Sequence, residues 1–250
     1  MRSARPCAIA RGVSPRRPLI VAIDTPDPAR AAQLARAVAP HCGVVKLGLE
    51  FFLANGPEGV RAVTQATGGA LPIFLDLKLH DIPNTVAGAV AAVLPLVPGM
   101  LTLHAAGGAA MIAAARRAAE AAGTARPMLL AVTVLTSLDA TALAATGVPD
   151  APAAQALRLG RLAVEAGADG LVCSAHEAAA LRAALGSGTA LVVPGIRAAG
   201  YGTDDQARTM TARQALAAGA DWIVVGRPIT QAADPAAAAA TLAAEAEAQR

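Results

Sequence analysis

The sequence predicts a single-domain (β/α)8 barrel of the α/β class, and three observations lead to this prediction. The chain has 250 residues, a length at which α/β barrels commonly form one domain. Short apolar runs rich in Val, Ile and Leu recur at fairly even intervals, as expected of parallel strands buried on both faces. Alanine-rich segments with helical spacing separate these runs. Eight alternating strand–helix units indicate a closed barrel.

The strands are predicted from the apolar runs, which bury both faces and end at Gly, Pro or polar residues. In chain order they are 19–24, 43–48, 72–78, 100–104, 128–135, 169–174, 190–195 and 221–226. The helical segments between the strands include 27–39, 84–94, 107–122, 152–166, 175–185 and 206–218, and the final helix is predicted at 235–249. The stretches "EAGADG" (165–170) and "AAGADW" (217–222) each place a glycine where a helix ends in the left-handed conformation.

An open, doubly wound sheet is the alternative fold, and the first strand argues against it. That fold requires a glycine-rich turn after strand 1, whereas "VAIDTPD" (21–27) has no glycine and GxGxxG occurs nowhere in the chain. We therefore assign residues 19–250 to one barrel domain. Residues 1–18 are rich in arginine and lack acidic residues, which predicts a flexible N-terminal extension.

Composition limits the classes of function. Hydrophobic residues make up 55% of the chain, enough for a sizeable core. Aromatic residues make up 2%, and the net charge of +3 comes from scattered arginines, so we expect no nucleic-acid partner. No apolar run reaches the roughly 18 residues of a spanning helix, so we expect no membrane partner. The three cysteines are widely spaced without a CxxC motif, which predicts reduced thiols in the cytoplasm and no structural zinc.

Charged residues occupy the ends of the first three strands, where the active sites of such barrels lie. They are Asp24, Lys46, Asp76 and Lys78. Of the 21 basic residues in the chain, only Lys46 and Lys78 are lysine. Asp76 and Lys78 are two positions apart, so both should point into the barrel mouth. A set of structural salt bridges is the alternative, but buried ion pairs add little stability. A lysine can release a proton whereas an arginine cannot, which favours a catalytic network.

The end of the eighth strand predicts a phosphate site. The stretch "IVVGRPI" places Gly226 where the backbone can approach a ligand closely, and Arg227 follows it. The loops after strands 7 and 8 are the usual phosphate site of these barrels, and a guanidinium suits an oxyanion.

The connection after the seventh strand, 195–208, is longer than the roughly 2–6 residues usual for such loops. It carries Arg197, Tyr201 and Gln206 among three glycines. These features favour a lid that closes over a ligand, with a surface insertion as the alternative.

Taken together, these motifs resemble the orotidine 5′-phosphate decarboxylase family. The likeness runs from about residue 19 onward through "VAIDTPD", "VVKLGLEFF", "FLDLKLHDIPNTV", "TVLTS", "VVPGIR" and "VVGRPIT". Magnesium-dependent sugar-phosphate synthases and decarboxylases of the same barrel group share the DxKxxD core. They carry an acid near the position of Lys46 and lack the IPxT continuation that follows here in "DIPNT", so the resemblance favours the orotidine 5′-phosphate decarboxylase family. A barrel that binds a phosphate ligand without turnover is a further alternative.

The resemblance implies cofactor-independent decarboxylation of orotidine 5′-monophosphate (OMP) to UMP and CO₂, without a metal. It implies the catalytic residues Lys78, Asp76, Asp81 and Lys46, with Lys78 as the proton donor. It also implies a homodimer in which Asp81 and Thr85 reach the neighbouring subunit's site. The implied substrate-binding residues are Asp24, Lys46, Asp76, Ile82, Thr85, Thr136, Arg197, Gln206, Gly226 and Arg227.

Overall fold

The structure is a computed structural model that describes residues 13–196 and 210–247. Eight parallel strands form a closed barrel in which the spatial order equals the chain order. The prediction of a (β/α)8 barrel is therefore confirmed, and each predicted strand is present. The strands are β1 Leu19–Ile23, β2 Val44–Gly48, β3 Ile73–Leu79, β4 Met100–His104, β5 Met128–Val132, β6 Gly170–Val172, β7 Ala190–Val193 and β8 Trp222–Val225.

Helices surround the barrel, and those predicted from the sequence are present within the described residues. They are α1 Pro28–Val38, α2 Leu49–Ala66, α3 Pro83–Val93, α4 Gly108–Glu120, α5 Ala140–Ala145, α6 Pro152–Glu165, α7 Ala175–Leu185, α8 Ala212–Ala217, α9 Arg227–Thr230 and α10 Pro235–Glu247. The prediction of 206–218 corresponds to α8, with 206–209 outside the described residues. In the part of the chain that the structure describes, no helix has the length and apolar character to cross a membrane.

Helix α2 was not among the helical segments picked out from the sequence, and its residues explain why. Gly56 has φ 58° and ψ −157°, outside the helical region, and Pro57 follows it inside the helix. The two residues interrupt the apolar spacing and kink the helix, because proline lacks the N–H that a helix interior requires. Phe51 and Val60, on either side of the kink, are nevertheless buried against the sheet. Tertiary packing thus maintains a helix that local propensity disfavours.

The ends of several helices are set by local hydrogen bonds. Asp27 caps α1, because its side chain accepts from the N–H groups of the first turn and Pro28 stands at the first helical position. Ser174 and Glu177 form a capping box at the start of α7. Gly167 and Gly219 have φ values of 104° and 102°, which confirms the predicted left-handed helix ends.

The aspartates that follow these two glycines explain why the two "AGAD" stretches are alike. Asp169 accepts a hydrogen bond from Leu129 N at 2.8 Å and pairs with Arg126 Nη1 at 2.7 Å. Asp221 pairs in the same way with Arg182 Nη2 at 2.6 Å. Each aspartate joins the start of its strand to a neighbouring strand, so the repeated sequence is structural and lies at the end of the barrel opposite the strand C-termini.

Alternation along the strands separates two cores. In β1, Leu19, Val21 and Ile23 pack outward against the helices, whereas Ile20 and Ala22 pack inward. The inward positions of the other strands fill the lower barrel with apolar side chains, namely Val44, Phe74, Met100, Met128, Leu130, Ala190, Val192, Trp222 and Val224. Lys46 and Asp76 occupy inward positions nearer the strand C-termini, above these apolar side chains.

Residues 13–18, which we assigned to the N-terminal extension, contact the barrel. Val13 is 2% exposed and belongs to the inner core cluster. The Arg17 guanidinium donates hydrogen bonds to the carbonyl oxygens of Ala39 and Pro40, at 3.3 and 2.6 Å. The segment before β1 therefore packs against the barrel from residue 13 onward, and residues 1–12 lie outside the described residues.

Candidate active site

A cavity of about 860 Å³ opens at the C-terminal ends of the strands. Its apolar wall comes from Phe74, Val132, Val172 and Val224, which are inward residues of four strands. Its polar lining includes seven residues that the sequence predicted as site residues. They are Asp24, Lys46, Asp76, Lys78, Thr136, Gly226 and Arg227.

Four charged side chains in this cavity form a chain of alternating sign. Lys46 Nζ lies 3.2 Å from Asp24 Oδ1 and 3.3 Å from Asp76 Oδ2. Lys78 Nζ lies 2.8 Å from Asp76 Oδ1. The two central side chains are nearly buried, whereas Lys78 is 31% exposed toward the cavity. Asp76 therefore holds one ammonium on each of its carboxylate oxygens.

Burial and charge oppose each other in the pKa values of the central pair. Burial alone would raise the pKa of Asp76, but the charges of Lys46 and Lys78 outweigh it and hold that pKa below its usual value. Burial alone would lower the pKa of Lys46, but Asp76 and Asp24 outweigh it and raise that pKa above the usual value. Asp76 is consequently a carboxylate and Lys46 an ammonium at neutral pH.

The backbone of Lys78 has a conformation that sequence alternation does not predict. Its φ is 48°, in the left-handed region, which costs a residue with a side chain roughly 1–2 kcal/mol. The pairing of β3 with β4 shifts register between Leu75 and Leu79, as at a β-bulge. Asp76 and Lys78 both line the cavity, as predicted, while Leu77 belongs to the outer core. Strained backbone of this kind is typical of functional sites.

Thr102 and Gln231 are polar residues at this site that the sequence analysis did not single out. Thr102 Oγ1 accepts a hydrogen bond from Lys78 N at 2.9 Å and lies 3.0 Å from Asp76 Oδ1. Gln231 lines the cavity after α9. Thr102 is the one hydroxyl residue in the apolar run "MLTLH", at an inward position of the strand next to Asp76. A polar residue at such a position could have indicated a site residue from the sequence. Gln231 had no comparable signal.

Two histidines lie together near the charged chain. The rings of His80 and His104 are 5.3 Å apart between centroids. Burial lowers the pKa of His104, and the charges of His80 and Lys78 lower it further. The charge of Asp76 opposes these effects without outweighing them, so His104 is neutral at neutral pH.

Three of the remaining predicted site residues are not brought into this cavity. Asp81, Ile82 and Thr85 are exposed and do not line it, and Asp81 Oδ1 accepts a hydrogen bond from Ile82 N at 2.6 Å. Arg197 and Gln206 lie outside the described residues.

The donor set of the cavity bears on metal binding. Its two acids, Asp24 and Asp76, both contact Lys46. Within residues 13–196 and 210–247 there is no cluster of three or more His, Cys, Asp or Glu side chains that could hold a metal ion.

Comparisons with known proteins agree on one family. The family model described as "Orotidine 5'-phosphate decarboxylase / HUMPS family" matches residues 17–242. The chain is 55% identical over 230 residues to the orotidine 5′-phosphate decarboxylase of Gluconobacter oxydans, covering 91% of this chain and 96% of the relative. It is 56% identical over 229 residues to that of Thermobifida fusca, covering 91% and 95%. A crystal structure of the Lactobacillus acidophilus enzyme of the same name superposes with a TM-score of 0.81, at 37% identity, covering 92% and 99%.

Proposed function

The chain belongs to the orotidine 5′-phosphate decarboxylase / HUMPS family and is a carboxy-lyase that converts OMP to UMP and CO₂ in pyrimidine biosynthesis, and we propose that Lys78 supplies the proton. The observation that carries this proposal is the charged chain Asp24–Lys46–Asp76–Lys78 at the mouth of the barrel. A site that only binds an anion requires only cations. This row of charged side chains also places the Asp76 carboxylate between two ammonium groups, which exceeds what binding an anion requires.

The first step is loss of CO₂ from the pyrimidine ring. The carbon–carbon bond to the carboxylate breaks, and its electron pair stays on the ring carbon. Asp76 would face the substrate carboxylate, and two like charges about 4 Å apart repel by roughly 4 kcal/mol at an effective dielectric constant near 20. Departure of neutral CO₂ moves this negative charge from the carboxylate facing Asp76 to the ring carbon facing the Lys78 ammonium, so the arrangement favours the state that follows bond cleavage.

The second step is protonation of the ring carbon. Asp76 holds the Lys78 ammonium in the cavity at 2.8 Å, and the ammonium stabilises the negative charge that develops on the ring. Lys78 then transfers a proton from Nζ to this carbon, which gives UMP and a neutral amine. Water returns a proton to the amine after product release. In this reaction the protein's own charges supply the stabilisation, without a cofactor.

Other residues hold the nucleotide for this reaction. Asp24 and Lys46 bind the ribose, and Thr136 binds the pyrimidine ring. Gly226, Arg227 and Gln206 bind the phosphate, and Arg197 also contacts the ligand. Binding energy at the phosphate, which takes no part in the reaction, would then hold the ring against Lys78.

We propose that the active form is a homodimer. Residues 81–85 are exposed, and Ile82, an apolar side chain next to Asp81, is 66% exposed. A partner subunit would cover this segment and receive Asp81 and Thr85 in its own cavity, with Ile82 at the substrate. Asp81 would then lie beside the partner's Lys78 and help to keep it charged.

Mixing two inactive variants tests the exchange of Asp81. Lys78→Ala and Asp81→Asn homodimers should each be inactive. After dissociation and reassociation at equal amounts, half the dimers are mixed and each has one intact site, so we expect about a quarter of wild-type activity. A mixture of wild type with Lys78→Ala, treated identically, controls for losses in reassociation. No recovery would show that Asp81 acts within its own chain.

The reaction itself is tested by mixing the purified protein with OMP and following ultraviolet absorbance and CO₂ release. We expect turnover that is unchanged by EDTA, because the proposed reaction uses no metal. Loss of activity in EDTA and its return with magnesium would instead favour the sugar-phosphate members of the family. Binding of OMP without CO₂ release would favour a non-catalytic barrel.

We also propose that the enzyme works in the cytoplasm. Cys42 and Cys173 are free thiols, and burial raises the pKa of Cys42 to about 12, so this thiol stays protonated. Free thiols are typical of a reducing compartment. Fractionation of the source cells should recover the activity in the soluble cytoplasmic fraction.

A further inference from the structure

Thr102 connects the two charged residues of β3 from the neighbouring strand. Its side chain is fully buried, at 0% exposure. Its Oγ1 accepts a hydrogen bond from the backbone N–H of Lys78 at 2.9 Å. The same hydroxyl donates to Asp76 Oδ1 at 3.0 Å. A hydroxyl has one hydrogen to donate. Here that hydrogen is donated to the Asp76 carboxylate, while a lone pair of the hydroxyl oxygen accepts from the backbone N–H of Lys78.

The backbone of Lys78 depends on this contact. The register between β3 and β4 shifts between Leu75 and Leu79, and in this interval the Lys78 N–H donates to the Thr102 side chain. Lys78 has φ 48°, a conformation that persists only where surrounding contacts fix it. Without the hydroxyl, this partly buried N–H would lose its acceptor, and a hydrocarbon in place of the fully buried Thr102 side chain could not replace it.

A single oxygen of Asp76 receives both contacts. Asp76 Oδ1 accepts from Thr102 Oγ1 at 3.0 Å and from Lys78 Nζ at 2.8 Å. The hydroxyl therefore fixes both ends of Lys78: its backbone directly, and its ammonium through Asp76. A hydrocarbon side chain of the same shape can do neither.

We propose that Thr102 is a positioning residue for the decarboxylation, holding Lys78 in its left-handed conformation and Asp76 in line with the Lys78 ammonium. The proposal rests on the proposed function of Lys78 as proton donor. Thr102 does not line the cavity, and it acts through the two residues that do.

Two substitutions separate the hydroxyl from the shape of the side chain. Thr102→Val keeps the shape and removes both hydrogen bonds, and we expect kcat for OMP to fall roughly 10²-fold with KM within about threefold. Thr102→Ser keeps the hydroxyl, and we expect kcat within about threefold of wild type. Thr189→Val is the matched control, because Thr189 is a buried threonine just before β7, at the other end of the barrel.

The pH profile gives a readout that a purely structural role would not change. The hydrogen bond from Thr102 is among the contacts that hold the pKa of Asp76 down, after those with Lys46 and Lys78. Its loss should raise that pKa, so the acid limb of kcat should move to higher pH in Thr102→Val. Thr189→Val should keep the wild-type profile.

The scarcity of lysine provides a direct test of the contact itself. Only Lys46 and Lys78 are lysine in this sequence, so selective ¹⁵N-lysine labelling gives two backbone amide signals. The signal that disappears in Lys78→Arg is the one from Lys78. In Thr102→Val we expect the Lys78 amide to shift and to exchange with solvent at least about tenfold faster. The Lys46 amide should be unaffected. This measurement is independent of activity.

Several results would overturn the proposal. They are a Thr102→Val kcat within about threefold of wild type, a Thr102→Ser loss as large as that of Thr102→Val, or an unchanged Lys78 amide. If Thr102→Val does not fold, Thr102→Ala, assayed below its own melting temperature, carries the same expectations. If wild type itself releases no CO₂ from OMP, the proposed function fails, and the amide signals still decide whether Thr102 holds Lys78.

Discussion

Replacement of Lys78 by alanine is expected to reduce kcat for OMP by at least about 10⁴-fold. The substitution removes the proton donor and also the charge that stabilises the ring carbanion, and each effect is commonly worth 10²-fold or more. The fold should survive, because the Lys78 side chain is partly exposed to the cavity and Lys46 still neutralises Asp76. Single-turnover measurement of CO₂ release gives the rate, and the melting temperature reports the fold.

Two further variants sharpen this experiment. Lys78→Arg keeps a positive charge but lacks an acid of useful pKa, so it separates charge stabilisation from proton transfer. We expect it to bind the nucleotide while turning over slowly. Arg213→Ala removes an exposed charge on α8 and should leave kcat unchanged. A rate for Lys78→Ala within tenfold of wild type would contradict the role of Lys78.

Replacement of Arg227 by alanine is expected to raise KM for OMP strongly and to lower kcat/KM roughly 10²-fold. The guanidinium lines the cavity beyond β8, and hydrogen bonds to a charged group are worth about 1.5–3 kcal/mol. The phosphate does not react, and the binding energy it supplies helps to hold the pyrimidine ring in place for the reaction. Loss of this energy should therefore lower kcat as well as raise KM. Steady-state kinetics over a wide range of OMP concentration measures both parameters.

The nucleoside orotidine provides the control for Arg227. Orotidine lacks the phosphate, so Arg227→Ala and wild type should process it with equal kcat/KM. The ratio of kcat/KM for OMP to kcat/KM for orotidine should therefore be smaller in Arg227→Ala than in wild type. It should fall by about the same factor as kcat/KM for OMP. If wild type processes nucleoside and nucleotide equally, or if the variant loses activity on both alike, Arg227 does not bind the phosphate.

The barrel and most of its elements could be predicted from local patterns. Strands buried on both faces give short apolar runs, and helix ends at Gly167 and Gly219 follow from the left-handed preference of glycine. Helix α2 escaped prediction because Gly56 and Pro57 break its spacing, and only packing against the sheet maintains the helix across the kink. The start of the barrel domain was predicted at residue 19 from the arginine-rich composition of residues 1–18. In the structure Val13 is already buried, by contacts with residues far along the chain.

What the sequence alone determined is that Asp24, Lys46, Asp76 and Lys78 lie at the mouth of one barrel. The period of two in a strand and the common direction of parallel strands are enough to place them there. The tertiary structure alone decided the bulge at Lys78, the contact of Thr102 with both charged residues of β3, and the exposure of Asp81 outside its own cavity. The physical reason is that alternation is a local property. Inter-strand register and hydrogen-bond partners depend on residues distant in sequence.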